Sequence, residues 1–292
     1  MFILFSFYIA EVIKVRNIVL LISMGVILLG CGSDNSGTDI VPTFPNPTNP
    51  SNPTNPSNPN QPPVNPSIPS SVLLSGFYTG ITGQGERAEG LVDDNKRLWV
   101  IYSDNEPDVY PLGFINSNQN VITNNGKFSV KGKNYSYEAR SAFNITIEGD
   151  YQTAKTIEGK ISDVPSRSTT YAINYDEALS AEKQRLSSIN NKTFYGLSYI
   201  TGDTDAGILT LKFSNNGLFS GKDAYGCSLT GQLTLSESQR YFDGTVTFGG
   251  APCLAPKQTV TGVALIDANN ELVVLGTDAN RSTGIYFNGE QL

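Results

Sequence analysis

The sequence predicts an all-β fold: two antiparallel β units, each a meander barrel or a sandwich, joined by a short helix and preceded by a disordered Pro/Asn-rich linker. Three observations predict it. Apolar and polar residues alternate along short runs, as Leu209, Leu211 and Phe213 do with Thr210, Lys212 and Ser214. A period of two marks half-buried antiparallel strands. Turn signals separate the runs: Asn125-Gly126, Asn216-Gly217, Asp93-Asp94-Asn95 and Ala268-Asn269-Asn270. Asn-Gly favours a type I′ hairpin because both of its central residues need positive φ. Finally, segments of the two halves resemble each other, which suggests a duplicated unit.

Taken in order, the chain begins with an apolar run, Ile18 to Leu29, "IVLLISMGVILL", with Lys14 and Arg16 just upstream. A dozen residues are short for a spanning helix, which needs about 20, and suit the apolar region of a signal peptide. Leu28-Leu29-Gly30-Cys31 resembles the lipobox of Gram-negative bacterial lipoproteins, the substrates of signal peptidase II. The resemblance covers residues 15 to 31, and Leu29 is bulkier than the commonest residue at its place. It implies that residues 1–30 are a signal peptide cut between Gly30 and Cys31. It further implies a diacylglycerol on the Cys31 thiol and a third acyl chain on its amine. Three chains exceed the two signals that stable anchoring takes, at about 0.8 kcal/mol per buried CH₂. Gly32 stands where an aspartate would signal retention at the inner membrane, so the resemblance implies an outer-membrane address, on either its periplasmic or its cell-surface face. The competing readings are an ordinary signal peptide or an uncleaved anchor helix. Residues 1–14 carry a second apolar run and Glu11 ahead of the basic residues. A start at Val15, read as methionine, gives a complete signal.

Residues 31–70 hold the lipidated cysteine and the linker. Eleven of the sixteen prolines fall between residues 41 and 70, and Pro47, Pro50, Pro53, Pro56, Pro59 and Pro62 recur every third residue. Polyproline II has three residues per turn, so these prolines would share one stripe. The segment is too polar to bury a core. At about 3.1 Å per residue it would reach roughly 90 Å as a semi-rigid stalk. A proline-rich ligand for a partner domain is the rival reading.

The first β unit is expected over residues 71–175. Phe143, Ile145 and Ile147 alternate there with polar residues, as do Tyr171, Ile173 and Tyr175. Residues 176–190 follow as a connecting helix, with Leu179, Lys183 and Leu186 at helical spacing and Asp176 as its cap. The second unit, residues 191–292, shows about eight short strands, enough for a small closed barrel. The outward sides read too polar for a membrane-spanning barrel. Two pairs of segments look alike in the two halves. "AEGLVDDNKRLWVIYSD" from Ala88 resembles "VTGVALIDANNELVVLGTD" from Val260, and "NNGKFS" from Asn124 resembles "NNGLFS" from Asn215. They occur in opposite order, as a circular permutation would give. "GFYTGITG" near Gly76 and "FYGLSYITG" near Phe194 suggest a direct repeat instead.

Composition narrows the chemistry. Histidine is absent, which excludes Ser-His-Asp and Cys-His nucleophiles, the usual zinc sites mixing histidine with other ligands, and histidine-bound haem. A carboxylate pair, a Ser-Lys pair and oxygen-ligated calcium survive. With 27 acidic against 20 basic residues in 292, the chain lacks the basic excess that nucleic-acid binding uses. Once Cys31 is acylated, Cys227 and Cys253 remain, an even pair in an exported chain, and are expected to form a disulfide. A redox or metal pair is the alternative, but there is no C-x-x-C. Asp203 and Asp205 make a D-x-D loop that begins as calcium loops do, yet Gly207 takes the place of the next ligand. That loop, Asp93 to Arg97 and Ser103 to Asp108 are read as solvated turns. Trp99, with Phe77, Tyr78, Tyr195 and Tyr199, is a candidate aromatic ligand surface, and core packing is the preferred reading.

The sequence assigns no catalytic residue, no metal ligand, no cofactor and no ligand-binding residue. The expected function is that of an outer-membrane, lipid-anchored lipoprotein presenting a non-catalytic β-rich binding or adhesive module on a stalk. Its expected partners are the membrane, through acyl chains on Cys31, and a protein, glycan or small-molecule ligand, with no nucleic acid. The alternatives are a lipocalin-like small-ligand carrier with an apolar barrel cavity, and a carboxylate-dependent hydrolase.

Overall fold

The computed structural model of the chain describes residues 73–105, 111–122, 125–151, 155–164, 167–203 and 206–292. Gly30, Cys31 and the proline-rich linker lie outside the described residues, as do Asn124, Asp108 and Asp205.

Both β units are closed eight-stranded barrels, so barrel and not sandwich is the architecture. The first comprises β1 (Gly76–Thr82), β2 (Arg87–Val92), β3 (Leu98–Ser103), β4 (Pro111–Ser117), β5 (Lys127–Ser136), β6 (Ser141–Tyr151), β7 (Thr156–Val164) and β8 (Arg167–Tyr175). Each strand pairs antiparallel with the next, and β8 returns to β1 with Gly80 opposite Ile173. The second comprises β9 (Thr193–Ile200), β10 (Gly207–Phe213), β11 (Leu218–Asp223), β12 (Ser228–Leu235), β13 (Phe242–Phe248), β14 (Thr259–Ile266), β15 (Leu272–Asp278) and β16 (Gly284–Gln291). It closes by pairing β16 with β9, Gly289 opposite Gly196. Closure leaves no strand edge to recruit another chain.

The period-two pattern places the apolar residues. Val130, Ile145, Ile147, Ile157 and Ile173 are buried in the first barrel, and Leu209, Leu211, Phe213, Val246 and Phe287 in the second. Outward positions pair polar groups, as in the Lys160–Glu148 ion pair and the Thr247–Thr259 hydroxyl contact. Apolar inside and polar outside is the reverse of a membrane-spanning barrel. No helix among the described residues is long and apolar enough to cross a membrane.

The hairpins have a shared local cause. Asp93, Asp223 and Asp267 each open a tight turn and accept, through a carboxylate oxygen, the backbone N–H four residues on. The residue three after each aspartate has positive φ: Lys96 at 61°, Gly226 at 94° and Asn270 at 63°. This is the three-residue loop that ends in a left-handed residue. Asn216-Gly217, in the β10–β11 hairpin, has positive φ at both residues, 59° and 67°. Asn125-Gly126 also has positive φ at both residues, but it ends a longer connection between β4 and β5.

The connector departs from expectation. Asp176 caps a helix as predicted, accepting from Leu179 N, but α1 spans only Glu177–Ala181. The chain then runs extended to a 3₁₀ turn at Leu186–Ser188. Tertiary hydrogen bonds win over helix propensity here. The Gln184 backbone N–H donates to Gln239, and its side chain both donates to Ile266 O and accepts from Ile266 N. One helical turn alone does not offset its nucleation cost.

The two similar hairpins, β2–β3 and β14–β15, face each other across the inter-barrel contact. Leu91, Trp99 and Phe114 of the first barrel pack there with Tyr241, Val263, Leu275 and Tyr286 of the second. Because one face of these strands meets its own barrel's core and the other meets the second barrel, both hairpins read as near-continuous apolar runs. The permutation reading fails on topology. The hairpin likeness matches strands two and three of the first barrel with six and seven of the second, whereas the Asn-Gly likeness matches strand five with strand three. No single rotation does both. The β1 and β9 segments do occupy the same first place in each barrel.

Candidate functional site

Each barrel is sealed at one end by the residues that precede its first strand. In the first, Leu73 is buried in the core. Its carbonyl accepts from Lys96 Nζ at 2.9 Å, and Leu74 N–H donates to the Tyr151 hydroxyl at 3.0 Å. In the second, Ile189 is fully buried with Phe194, Leu233 and Phe242, and Leu186 packs against the same cluster. The opposite ends are open. The first mouth leads into a cavity of about 450 Å³ and the second into one of about 400 Å³.

The barrels touch through different ends at different points. At the open ends, Tyr137, in the turn between β5 and β6, stacks on Tyr199 near the end of β9, with ring centroids 3.9 Å apart. At the sealed ends, Asp94 accepts from Ser238 N–H at 2.8 Å, and its own N–H donates to the Tyr241 hydroxyl at 3.0 Å. Arg281, in the turn between β15 and β16 at the open end of the second barrel, donates through Nη2 to the backbone and side-chain oxygens of Asn116, towards the sealed end of β4. Gly284 is obligatory beside it, since a Cβ there would strike the rings of Tyr135 and Phe114. Leu73 lies at the sealed end of the first barrel, and the end of β16 at the sealed end of the second.

The mouths differ in chemistry. The first is polar. Glu86, Glu138 and the Asp163–Arg167 ion pair border it, and Tyr102 donates to Asn134 at 2.9 Å on its wall. Burial pushes the Tyr102 hydroxyl pKa up. The second carries Asp203 and Asp223 together with an exposed apolar rim. Tyr225 and Leu254 stand at its rim, 67% and 62% exposed, over a shaft lined by leucine, valine, isoleucine and phenylalanine. The Cys227–Cys253 disulfide is formed, with Cα atoms 4.5 Å apart. It joins the residue ahead of β12 to the long β13–β14 loop, and so holds Leu254 over the cavity.

Several sequence candidates change role. Asp93 to Arg97 is no solvated turn: Asp93 is completely buried. Its carboxylate accepts from Arg97 N–H and Arg97 Nε, each at 2.8 Å, and from Trp99 Nε1 at 3.1 Å. Trp99 is 2% exposed and packs between the barrels with Phe77 and Tyr199, while Tyr78 belongs to the first barrel's core and Tyr195 is exposed. These aromatics therefore form no common surface. Asp203 borders the second mouth, and its D-x-D partner Asp205 is outside the described residues. Among the described residues no cluster of three or more carboxylates and cysteines is placed to hold a metal. Tyr225 and Leu254 were missed by pattern reading. Their signal was a large apolar residue beside each disulfide cysteine, in a loop where burial gives no reason for it.

No protein-family model matches the chain, and no curated protein does. Solved structures give distant likenesses. The chain is similar to the isotype 1 transferrin binding protein B from serogroup B Neisseria meningitidis, at 10% identity over 71% of this chain and 66% of that one, with a TM-score of 0.27. It is similar to a mutant transferrin binding protein B from Haemophilus parasuis, at 8% identity over 70% and 66%, with a TM-score of 0.24. A candidate outer membrane protein from Bacteroides fragilis matches at 13% identity over 74% and 97%, with a TM-score of 0.26. The chain thus spans 66% of the length of the two transferrin binding proteins. Overlaps this loose match no residue to a residue.

Proposed function

We propose that the protein is an outer-membrane lipoprotein, anchored through acyl chains on Cys31, whose two-barrel head is a non-catalytic binding module. The observation that supports this most is the pair of closed barrels, each sealed at one end and open to a cavity at the other. The first barrel opens at the end opposite Leu73, the first described residue. Sixteen strands closed into two barrels and locked together make a rigid platform, with loops free to differ at one end. A macromolecular ligand, protein or glycan, fits a platform that presents two unlike mouths. The reading assigns no catalytic residue.

Two measurements test it. Labelled palmitate should enter the wild-type chain and not a Cys31→Ser variant. Protease added to intact cells should release the head if it faces outward, whereas full protection would assign it to the periplasmic side. An unacylated wild-type product overturns the anchor.

A further inference from the structure

We propose that the cavity of the second barrel is a binding site for one linear alkyl chain of about ten carbons, bearing an uncharged head group. The proposal deepens the binding role given above and rests on it only in taking the head to be a binder.

The cavity of about 400 Å³ lies within the range of small-molecule pockets, roughly 300–1,000 Å³. A methylene occupies much the same space as a water molecule, about 30 Å³, so the volume suits a chain of about a dozen groups at most. Its walls are hydrocarbon: Leu209, Leu211, Leu229, Val246, Ile285 and Phe287. Ser198, a polar residue of the lining, already donates its hydroxyl to the Gly207 carbonyl. An eight-stranded barrel is wide enough for one narrow ligand, not a bulky one. The floor is sealed by Phe194, Leu233 and Ile189, so a chain enters only from the mouth and its head stays there.

The rim supports the same class of ligand. Tyr225 and Leu254 are large apolar side chains left in solvent, and both border the cavity. A disulfide fixes the loop that carries Leu254. Such a rim guides an alkyl chain inward and contacts its first carbons. Among the groups bordering the mouth are the Asp203 and Asp223 carboxylates, the latter accepting from Tyr225 N–H and Cys227 N–H. They disfavour an anionic head, which sets a neutral amphiphile ahead of a free fatty acid. The first barrel's mouth, with its charged border, lacks this combination.

The test uses the full-length acylated protein in phosphatidylcholine vesicles and a photoactivatable 1-decanol probe, with cross-linked positions mapped by peptide mass spectrometry. Label is expected on the inward residues of β10, β12 and β16, and about a hundredfold excess of plain 1-decanol should remove most of it. A photoactivatable decanoate should label the same peptides about fivefold less, through repulsion by the rim carboxylates. Leu229→Trp, which fills the shaft, should abolish the label. Should that variant fail to fold, competition by 1-decanol on the wild type decides alone. Label confined to outward-facing residues or to residues before 73, or label that resists the competitor, overturns the proposal. Palmitate incorporation on the same samples is scored separately, so loss of the anchor reading and loss of the cavity reading are told apart.

Discussion

The ring of Phe219 lies on Gly231, the residue directly opposite it on the neighbouring strand. Phe128 covers Gly149 in the same way in the first barrel. Each phenylalanine follows an Asn-Gly pair with positive φ, which explains why "NNGKFS" and "NNGLFS" look alike. The likeness is a local device, an aromatic ring shielding a strand glycine. A Cβ at Gly231 would meet both that ring and the Thr245 carbonyl. Gly231→Ala should therefore destabilise the protein by about 1–3 kcal/mol, the usual cost of overpacking. Denaturant unfolding checks it, and a Gly231→Ala, Phe219→Leu double variant should recover part of the loss.

Asp93 is the buried carboxylate of the inter-barrel contact, and Arg97 and Trp99 both donate to it. Asp93→Ala strands the Trp99 N–H and half of an ion pair. Removing one partner of a buried pair costs about 3–5 kcal/mol, and Arg97 is a third exposed, so the lower end is expected. Trp99 is the only tryptophan. Its fluorescence should shift to the red in this variant and report the loosened interface directly.

Reducing the disulfide should weaken the second barrel. It closes a loop with a sequence separation of 26, worth roughly 3–4 kcal/mol on the chain-entropy model. Cys227→Ser with Cys253→Ser should lower the unfolding midpoint by that amount. Hydrogen exchange should rise first in the β13–β14 loop. Iodoacetamide added to the native protein should label neither thiol.

Alkali should unfold the protein through its tyrosines. Burial holds the Tyr135 pKa up, to about 12, and those of Tyr78, Tyr171, Tyr241 and Tyr286 higher still. A pKa raised in the folded state means stability that is full below the unfolded value, about 10. That stability is lost as pH rises from there through the folded values. Each such tyrosine adds at most about 1.4 kcal/mol per pH unit to the slope. Stability measured from pH 8 to 12 should fall steeply above pH 10, with tyrosinate absorbance rising together with unfolding. Tyr135→Phe should make the slope shallower.

Much of the fold was legible because the signals are local. Alternation of period two in residues such as Leu209, Leu211 and Phe213 states which side faces a core, whatever that core turns out to be. An aspartate or an Asn-Gly pair fixes a turn from within the turn. Cys227 and Cys253, expected to pair, do so. The helix was over-read because Leu179, Lys183 and Leu186 keep helical spacing, while the partners of Gln184 that pull the chain straight come from β14 and the β12–β13 turn.

What the sequence by itself determined was strands, turns, the disulfide pair and an all-β architecture of two units. Tertiary structure alone decided that Asp93 is buried, that Trp99 sits between barrels and not within one, and that each barrel is sealed at one end and open at the other. The physical reason is that a residue pattern records burial but not against what. The double-sided apolar runs of β3 and β15 announced a second covered face, and only the packed molecule shows that each covers the other.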